Sequence, residues 1–263
     1  MIRLVCSDLD GTLLPTTDAD VAPEDLALIG RMREAGIRFM PVSGRQYRLM
    51  RELFRDEAGR LDYIAENGCL VIHDGEIVRR ETMPRESALR LIAEASARPE
   101  YGILVSGVEH AYIKASTPAF AAMCRDFCRV RFSLWDDLTT IPEPYFKISL
   151  WVDDIPHITE RLSAWRELFA GELTVVYGGN GWIDFSALGT TKGKALTWYM
   201  ETYGYQPSEV AMFGDNDNDE TALAAVTYSY AMAQAPETLK SRCFGTTDSV
   251  GRTLKTLLAD RLG

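Results

Sequence analysis

Residues 6–14 read Cys6-Ser7-Asp8-Leu9-Asp10-Gly11-Thr12-Leu13-Leu14. A short apolar run, Leu4-Val5-Cys6, leads into two carboxylates spaced two apart and then a glycine. Such a run suits a buried parallel strand, and Gly11 lets the backbone turn sharply at its end. The arrangement returns near the far end of the chain. There Val210-Ala211-Met212-Phe213 leads into Gly214-Asp215-Asn216-Asp217-Asn218-Asp219. Carboxylates that crowd together repel unless a cation sits among them. A hard divalent cation such as Mg²⁺ prefers oxygen ligands and keeps positions open for water and phosphate. Two acidic loops folded to one point therefore imply an enzyme that handles phosphate esters with Mg²⁺.

Working outward, strand and helix signals alternate. Residues 2–7 form a strand. Pro23 suits the first position of a helix, Leu26, Ile29 and Met32 repeat at helical spacing, and Gly36 is a stop signal. Residues 37–42 give the next strand, which ends at Ser43-Gly44-Arg45. A helix follows with Tyr47, Met50, Leu53 and Phe54 on one face, then a strand at 62–65 ending at Glu66-Asn67-Gly68. This β-α-β-α-β order predicts a parallel sheet with right-handed crossovers. Residues 69–81 read as a hairpin turning at His73-Asp74-Gly75. The middle changes rhythm. Helices are predicted at 85–97, 118–128 and 156–170, and strands at 102–106, 110–114, 130–135, 145–152, 173–177 and 181–185. That mixture suggests an α+β module with an antiparallel sheet. The α/β pattern then resumes with a helix at 192–203, a strand at 210–213, and helices at 218–225 and 250–260. The expected architecture is a discontinuous α/β core, residues 1–82 and 187–263, with an α+β insertion at 83–186.

The chain has 263 residues, is 46% hydrophobic, and carries a formal net charge of −10. Its length supports one large domain or two modest ones. Its charge repels nucleic acid and anionic membranes, so neither is an expected partner. A phosphorylated substrate is repelled too, so any phosphate site must carry local positive charge. No stretch is apolar enough to cross a bilayer, and Asp8 and Asp10 arrive too soon for a signal peptide. Five scattered cysteines suit a reducing cytoplasm. Cys124 and Cys128 share a helical face, but no His or Cys cluster completes a metal set, so they read as buried thiols.

Ligands of open parallel sheets bind beyond the carboxyl ends of the strands. Asp8, Ser43 and Asp215 fall just there after three separate strands. Asp8 is the candidate nucleophile, forming an aspartyl-phosphate. Asp10 is the candidate acid that protonates the leaving oxygen and later the base that takes a proton from water. The competing reading of Asp8-Leu9-Asp10-Gly11 is a plain turn. Ser43-Gly44-Arg45 offers a hydroxyl and backbone N–H groups to a phosphoryl oxygen, against the alternative that Ser43 only caps a helix. Lys192, after Gly189-Thr190-Thr191, can neutralise charge on the transferring group; a solvated surface lysine is the alternative, and Lys194 its neighbouring rival. Asp215 is the first candidate Mg²⁺ ligand, Asp219 a ligand or an orienter of bound water, and Asn218 a donor to phosphoryl oxygen or metal-bound water. A helix-loop-helix calcium loop is excluded, because counting from Asp215 its sixth and twelfth positions hold Glu220 and Val226 in place of Gly and Glu. His73, His110 and His157 follow no metal or triad spacing. Neither a serine-hydrolase elbow nor a Gly-rich nucleotide loop is present.

Together these residues resemble the haloacid dehalogenase superfamily of phosphohydrolases, in its Cof-type IIB branch with a large C2B-type α+β cap. The first motif, Asp-x-Asp-Gly-Thr, is matched by Asp8 to Thr12; the second by Ser43, followed by Gly44-Arg45; the third by Lys192; the fourth by Gly214, Asp215, Asn218 and Asp219. Glu66-Asn67-Gly68 is similar to this branch as well. The resemblance implies a Rossmann-like core and Mg²⁺ held by Asp8, the backbone carbonyl of Asp10, and Asp215. It also implies a phosphoryl group held by Ser43, Gly44, Lys192 and Asn218, and a cap that selects a small phosphorylated metabolite such as a sugar phosphate. Two departures stand out. Glu220-Thr221-Ala222-Leu223 follows Asp219, and Gln234 stands where the family commonly has Asn. Lys147 is a candidate cap residue, with an exposed strand lysine as the alternative; Gly178-Gly179-Asn180-Gly181 reads as a hairpin turn, and Trp135, Trp151 and Trp182 as cap core. A sugar phosphomutase of the same superfamily and a non-catalytic metabolite sensor are the rival functions. The intact Asp8 and Asp10 pair argues against the sensor.

Overall fold

A computed structural model describes residues 1–55, 59–107, 110–114 and 118–259. The chain divides into two compact units, residues 1–80 with 191–263, and residues 81–190.

The first unit opens with β1 (Leu4–Ser7), α1 (Pro23–Glu34), β2 (Arg38–Pro41), α2 (Tyr47–Leu53), β3 (Tyr63–Ala65), β4 (Leu70–His73) and β5 (Glu76–Arg80). Pro23 supplies the preset φ of the first turn of α1, where a missing N–H costs nothing. The main sheet is parallel, in the order β14 (Gly245–Thr247), β13 (Tyr228–Met232), β12 (Val210–Gly214), β1, β2. Its interior strand β1 is buried along its length, which is why Leu4-Val5-Cys6 reads as an apolar run.

β3 differs from the sequence expectation. It meets the parallel sheet only through the bridge between Val42 and Ile64 and otherwise pairs antiparallel with β4, which pairs with β5. With three residues, β3 has too few ladder groups for a full parallel partner, and the adjacent hairpin satisfies them at lower loop entropy.

The second unit runs α3 (Arg85–Ser96), β6 (Gly102–Ser106), β7 (Ala111–Ile113), α4 (Pro118–Ala122, continued by a wider turn through Phe127), β8 (Phe132–Leu134), β9 (Lys147–Trp151), α5 (Ile158–Leu168), β10 (Leu173–Gly179) and β11 (Trp182–Ala187). Its sheet order is β10-β11-β9-β6-β7-β8. Pairing is antiparallel except between β7 and β8, which run parallel. One sheet face, with Ile103, Val105, Ile148, Leu150, Ile183 and Phe185, shares a core with Leu91 and Ile92 of α3 and Trp165 of α5. On the other face Leu104, Ala111 and Ile113 meet Phe120, Cys124, Trp151 and Trp182, and Trp135 packs against the first core. All three tryptophans therefore serve as packing, as expected. Residues 178–181 make the β10–β11 turn, with Gly179, Asn180 and Gly181 at positive φ.

The chain returns to the first unit with α6 (Lys192–Tyr203), β12 (Val210–Gly214), α7 (Glu220–Ala224), β13 (Tyr228–Met232), α8 (Glu237–Lys240), β14 (Gly245–Thr247) and α9 (Val250–Leu257). The sequence reading omits β13, α8 and β14. Each is three to five residues long, too short for a clear period. The expected last helix extends to residue 260, which lies outside the described residues. No described helix is long and apolar enough to cross a membrane.

α6 is set by close packing. Thr191 caps it by accepting from the Lys194 N–H, and Gly204 ends it in the left-handed conformation. Gly193, in its first turn, donates its N–H to Thr221 Oγ1 at 3.1 Å. A Cβ on Gly193 would stand 2.3 Å from the backbone carbonyl carbon of Thr221. Alanine favours helix by about 1 kcal/mol over glycine, but this clash is with backbone and cannot swing aside. Gly193→Ala is therefore expected to destabilise the protein by about 1–3 kcal/mol, read as a lower urea midpoint at unchanged slope. A stabilised variant would show that α6 and α7 are not packed this tightly.

Candidate active site

Three adjacent strands deliver the site. β12, β1 and β2 are neighbours, and Asp215, Asp8 and Ser43 lie just past their carboxyl ends. The register is carried one residue beyond the strands. Asp8 N–H donates to Phe213 O at 2.9 Å, and Val42 N–H donates to Ser7 O at 2.8 Å. The loop after Asp8 then folds on itself, with Gly11 N–H donating to Leu14 O at 2.8 Å. Gly11 has φ +79°, and a Cβ there would lie 2.5 Å from Asp215 Oδ2. Both facts demand glycine. Thr12 Oγ1 donates to Asp215 Oδ1 at 3.1 Å, and the Gln234 side-chain amide donates to the Gly11 carbonyl. Gln234 thus ties the segment after β13 to the Asp8 loop.

Lys192 occupies the centre. Its Nζ lies 2.7 Å from Asp8 Oδ1 and 2.7 Å from Asp219 Oδ1, and the side chain is 1% exposed. The surface-lysine alternative is thereby excluded, whereas Lys194 is exposed. Asp219 is fully buried, and its Oδ2 accepts the Asp215 N–H at 3.0 Å and the Asn216 N–H at 3.2 Å. Both of its oxygens are therefore committed, one to the lysine and one to the loop. Burial pulls the Lys192 ammonium down, but the Asp219 and Asp8 carboxylates outweigh it and hold it above the ordinary lysine value. Burial pushes the Asp8 carboxyl well up, and the Asp219 charge adds to this against the opposing pull of Lys192. Asp215 is pushed up to about 6, first by burial and then by Asp219.

Asp8, Asp215 and Asp219 each offer a carboxylate oxygen within 4.8 Å of the others. The donor set is all oxygen and crowded, and Gly11 leaves the room beside Asp215 that a side chain would fill. A hard divalent cation fits these residues. A second cluster, Asp62, His73 and Asp74, also meets the spacing of a metal site, but a guanidinium already fills that role. Arg38 Nη1 lies 2.8 Å from both Asp62 Oδ2 and Asp74 Oδ1, and Tyr199 Oη donates to Asp62 Oδ2 at 2.7 Å. His73 joins this network at 3.1 Å from Asp62.

The phosphate-side candidates converge less tightly. Ser43 is buried, and its Oγ accepts the Arg45 N–H at 3.2 Å. It does not cap α2, whose N-cap is Gln46. A Cβ on Gly44 would stand 2.9 Å from Asn67 Oδ1, and Asn218 Nδ2 donates to the same oxygen at 3.3 Å. Asn67 therefore lies between the two loops, a placement the sequence reading missed. Its signal is in the backbone. Glu66, Asn67 and Gly68 all have positive φ (52°, 57° and 102°), and two consecutive non-glycine residues there store strain of the order of 1–2 kcal/mol each. Lys147, for its part, is not an exposed strand lysine. It is buried, with Nζ 3.6 Å from Asp184 Oδ2, and Ser149 Oγ donates to Asp184 Oδ1 at 2.6 Å.

Residues 5–251 match the haloacid dehalogenase-like hydrolase family. The 5-amino-6-(5-phospho-D-ribitylamino)uracil phosphatase YbjI of Escherichia coli is 29% identical over 237 residues, which cover 89% of this chain and 86% of that protein. The pyridoxal phosphate phosphatase YbhA of the same organism is 27% identical over 265 residues, covering 95% and 96%. The crystal structure of SMU.1108c from Streptococcus mutans superposes with a TM-score of 0.88 at 26% identity, over 98% of this chain and all of that one.

The two carboxylates on Lys192 make a direct prediction. Replacing it with Met leaves Asp8 and Asp219 buried without their counter-charge. Lys192→Met should lower stability by about 3–5 kcal/mol, measured by urea unfolding. A loss below about 1 kcal/mol would mean that the ammonium does not sit between them.

Proposed function

The chain belongs to the haloacid dehalogenase-like hydrolases, and within that family we propose a Mg²⁺-dependent phosphatase of small phosphorylated metabolites, with sugar phosphates as the substrate class, working through an aspartyl-phosphate in the cytoplasm. Phosphatase activity itself follows from the family and from relatives that are phosphatases. The finer reading is carried by one observation: a buried ammonium bridging Asp8 and Asp219 beside Asp215. A phospho-D-ribityl group, as in the substrate named for YbjI, is a phosphorylated polyol and supports the sugar-phosphate class. The odd number and scatter of the five cysteines along the chain support a reducing compartment.

In the proposed reaction an Asp8 carboxylate oxygen attacks phosphorus, the bond from phosphorus to the ester oxygen breaks, and Asp10 gives that oxygen a proton. Water then attacks the phosphorus of the aspartyl-phosphate, Asp10 takes the water proton, the bond to Asp8 breaks, and phosphate leaves. Lys192 neutralises charge on the moving phosphoryl group, and Ser43, Gly44 and Asn218 orient its oxygens. Mg²⁺, held by Asp8, the Asp10 carbonyl and Asp215, would supply the positive charge that keeps the carboxylates ionised and offsets that of the phosphate. Asp219 organises this set by fixing Lys192 and the Asp215 loop. Catalysis is assigned to residues 1–82 and 187–263, and choice of the ester to residues 83–186.

Two measurements test this. Cleavage of 4-nitrophenyl phosphate should require Mg²⁺ and should fall by about a thousandfold or more in Asp8→Asn; metal-independent turnover, or an active Asp8→Asn, rejects it. Thermal denaturation with and without Mg²⁺ tests the ligand set. Asp215 titrates near 6 when folded, above its ordinary value. Without a cation, folding therefore gains stability as pH falls through 6, while protons displace the cation. The Mg²⁺-induced stabilisation, about 2.7 kcal/mol at a hundredfold excess over Kd, should be full at pH 8, shrink as pH drops through about 6, and vanish in Asp215→Asn. A rise that ignores pH or survives Asp215→Asn would place the cation elsewhere.

A further inference from the structure

Among the described residues, Arg45 is the one long cation bonded to the proposed proton-carrying group. Its Nε donates to Asp10 Oδ2 at 2.8 Å and its Nη2 to Asp10 Oδ1 at 2.6 Å. This is the fork-to-fork geometry in which guanidinium and carboxylate planes align and orientation is fixed as well as distance. Nη2 also donates to the Thr17 carbonyl at 2.6 Å, which holds the fork from its far side. The two partners are unequally exposed: the Arg45 side chain is 7% exposed and that of Asp10 36%.

The base of Arg45 is fixed in turn. Its N–H donates to Ser43 Oγ at 3.2 Å, and its carbonyl accepts the Glu66 N–H at 3.0 Å. The guanidinium is thus anchored to the strand-end loop that carries Ser43 and to the strained segment that carries Asn67. Asp10 itself sits in a turn, bridged to Leu14, with no described side-chain bond besides those to Arg45. Left alone, a half-exposed aspartate on a turn samples several rotamers. The fork uses one lone pair on each oxygen, so each oxygen keeps capacity for a further proton or water.

We propose that Arg45 is a positioning residue for Asp10, one that holds the carboxylate in the orientation from which it exchanges a proton with the ester oxygen and then with water. This rests on the phosphatase reading above. The Arg45 guanidinium meets the proposed chemistry through its fork on Asp10, so its effect passes through Asp10 and scales with how much a given ester needs a proton. An alkoxide is a poor leaving group and needs it; a nitrophenolate leaves without it.

The test is single-turnover cleavage of two esters, glycerol 2-phosphate and 4-nitrophenyl phosphate, by the full chain with Mg²⁺. Both catalytic steps use Asp10, so only the first, read as release of the alcohol or the phenolate, separates the esters. Arg45→Ala should slow cleavage of the glycerol ester by about tenfold or more, within the range expected for losing a positioned acid, and leave the nitrophenyl ester within about threefold. Arg45→Lys, which keeps the charge without the fork, should fall between wild type and Arg45→Ala. In an Asp10→Asn background Arg45→Ala should cost no further rate, because residues acting as one unit are not additive. Thermal melting of each variant checks that it is folded. Equal losses on both esters, or an undiminished loss in the Asp10→Asn background, would mean that Arg45 acts on the phosphoryl group or the fold directly, and would overturn the proposal. Wild-type protein that cleaves neither ester would overturn the phosphatase reading itself, and this proposal with it.

Discussion

The structure depends on an ammonium group placed where no water can reach it. Lys192 is held by two carboxylates, Asp8 and Asp219, all three essentially buried. A lone charge in such a place costs several kcal/mol, and the arrangement survives because each charge has a hydrogen-bonded partner. It also reaches far along the chain, since Lys192 and Asp8 are 184 positions apart. The lysine must therefore arrive on a helix already fixed in place. Close contact at Gly193 and the Thr191 cap provide that.

Charge at this point does not balance. Three carboxylates gather within a few ångströms of one another, and one ammonium serves two of them. Burial first, and then this excess, lifts the Asp8 and Asp215 carboxyls above their ordinary range. Elsewhere in the same unit a similar group of acids behaves differently. Asp62 and Asp74 share the Arg38 guanidinium, and that pairing holds Asp74 below the ordinary carboxylate value. One cluster is complete, and the other is short of positive charge. A bound dication would answer the second condition and not the first.

The two units solve different packing problems. The first covers a parallel sheet on both faces, which leaves its strand ends as the natural place for polar chemistry. The second packs one face of its sheet on α3 and α5 and gives part of the other to Phe120 and two tryptophans. What remains buried near Ser149, Lys147 and Asp184 is polar and internally paired.

Much of this was legible in the residues alone. Local patterns belong to the sequence: the apolar run before Asp8, the Pro23 start and Gly36 stop of α1, the helical spacing after Lys192, the acidic turn after Phe213. Each depends on neighbours a few positions away, so each survives without knowledge of the fold. The brevity of β13, α8 and β14 hid them, because three to five residues carry no period. Pairing belongs to the tertiary structure. Sequence alone placed Arg45 beside Ser43 but could not say that its fork would close on Asp10, nor that Asn67 would stand between Gly44 and Asn218. It left Lys147 open between a cap residue and an exposed strand lysine, and folding buried it beside Asp184. β3 looked like the third strand of a parallel sheet and became the first of an antiparallel one. The physical reason is the same throughout. Propensity and periodicity are set by covalent neighbours, while the partner of a charge is set by which distant segments the sheet brings within three ångströms.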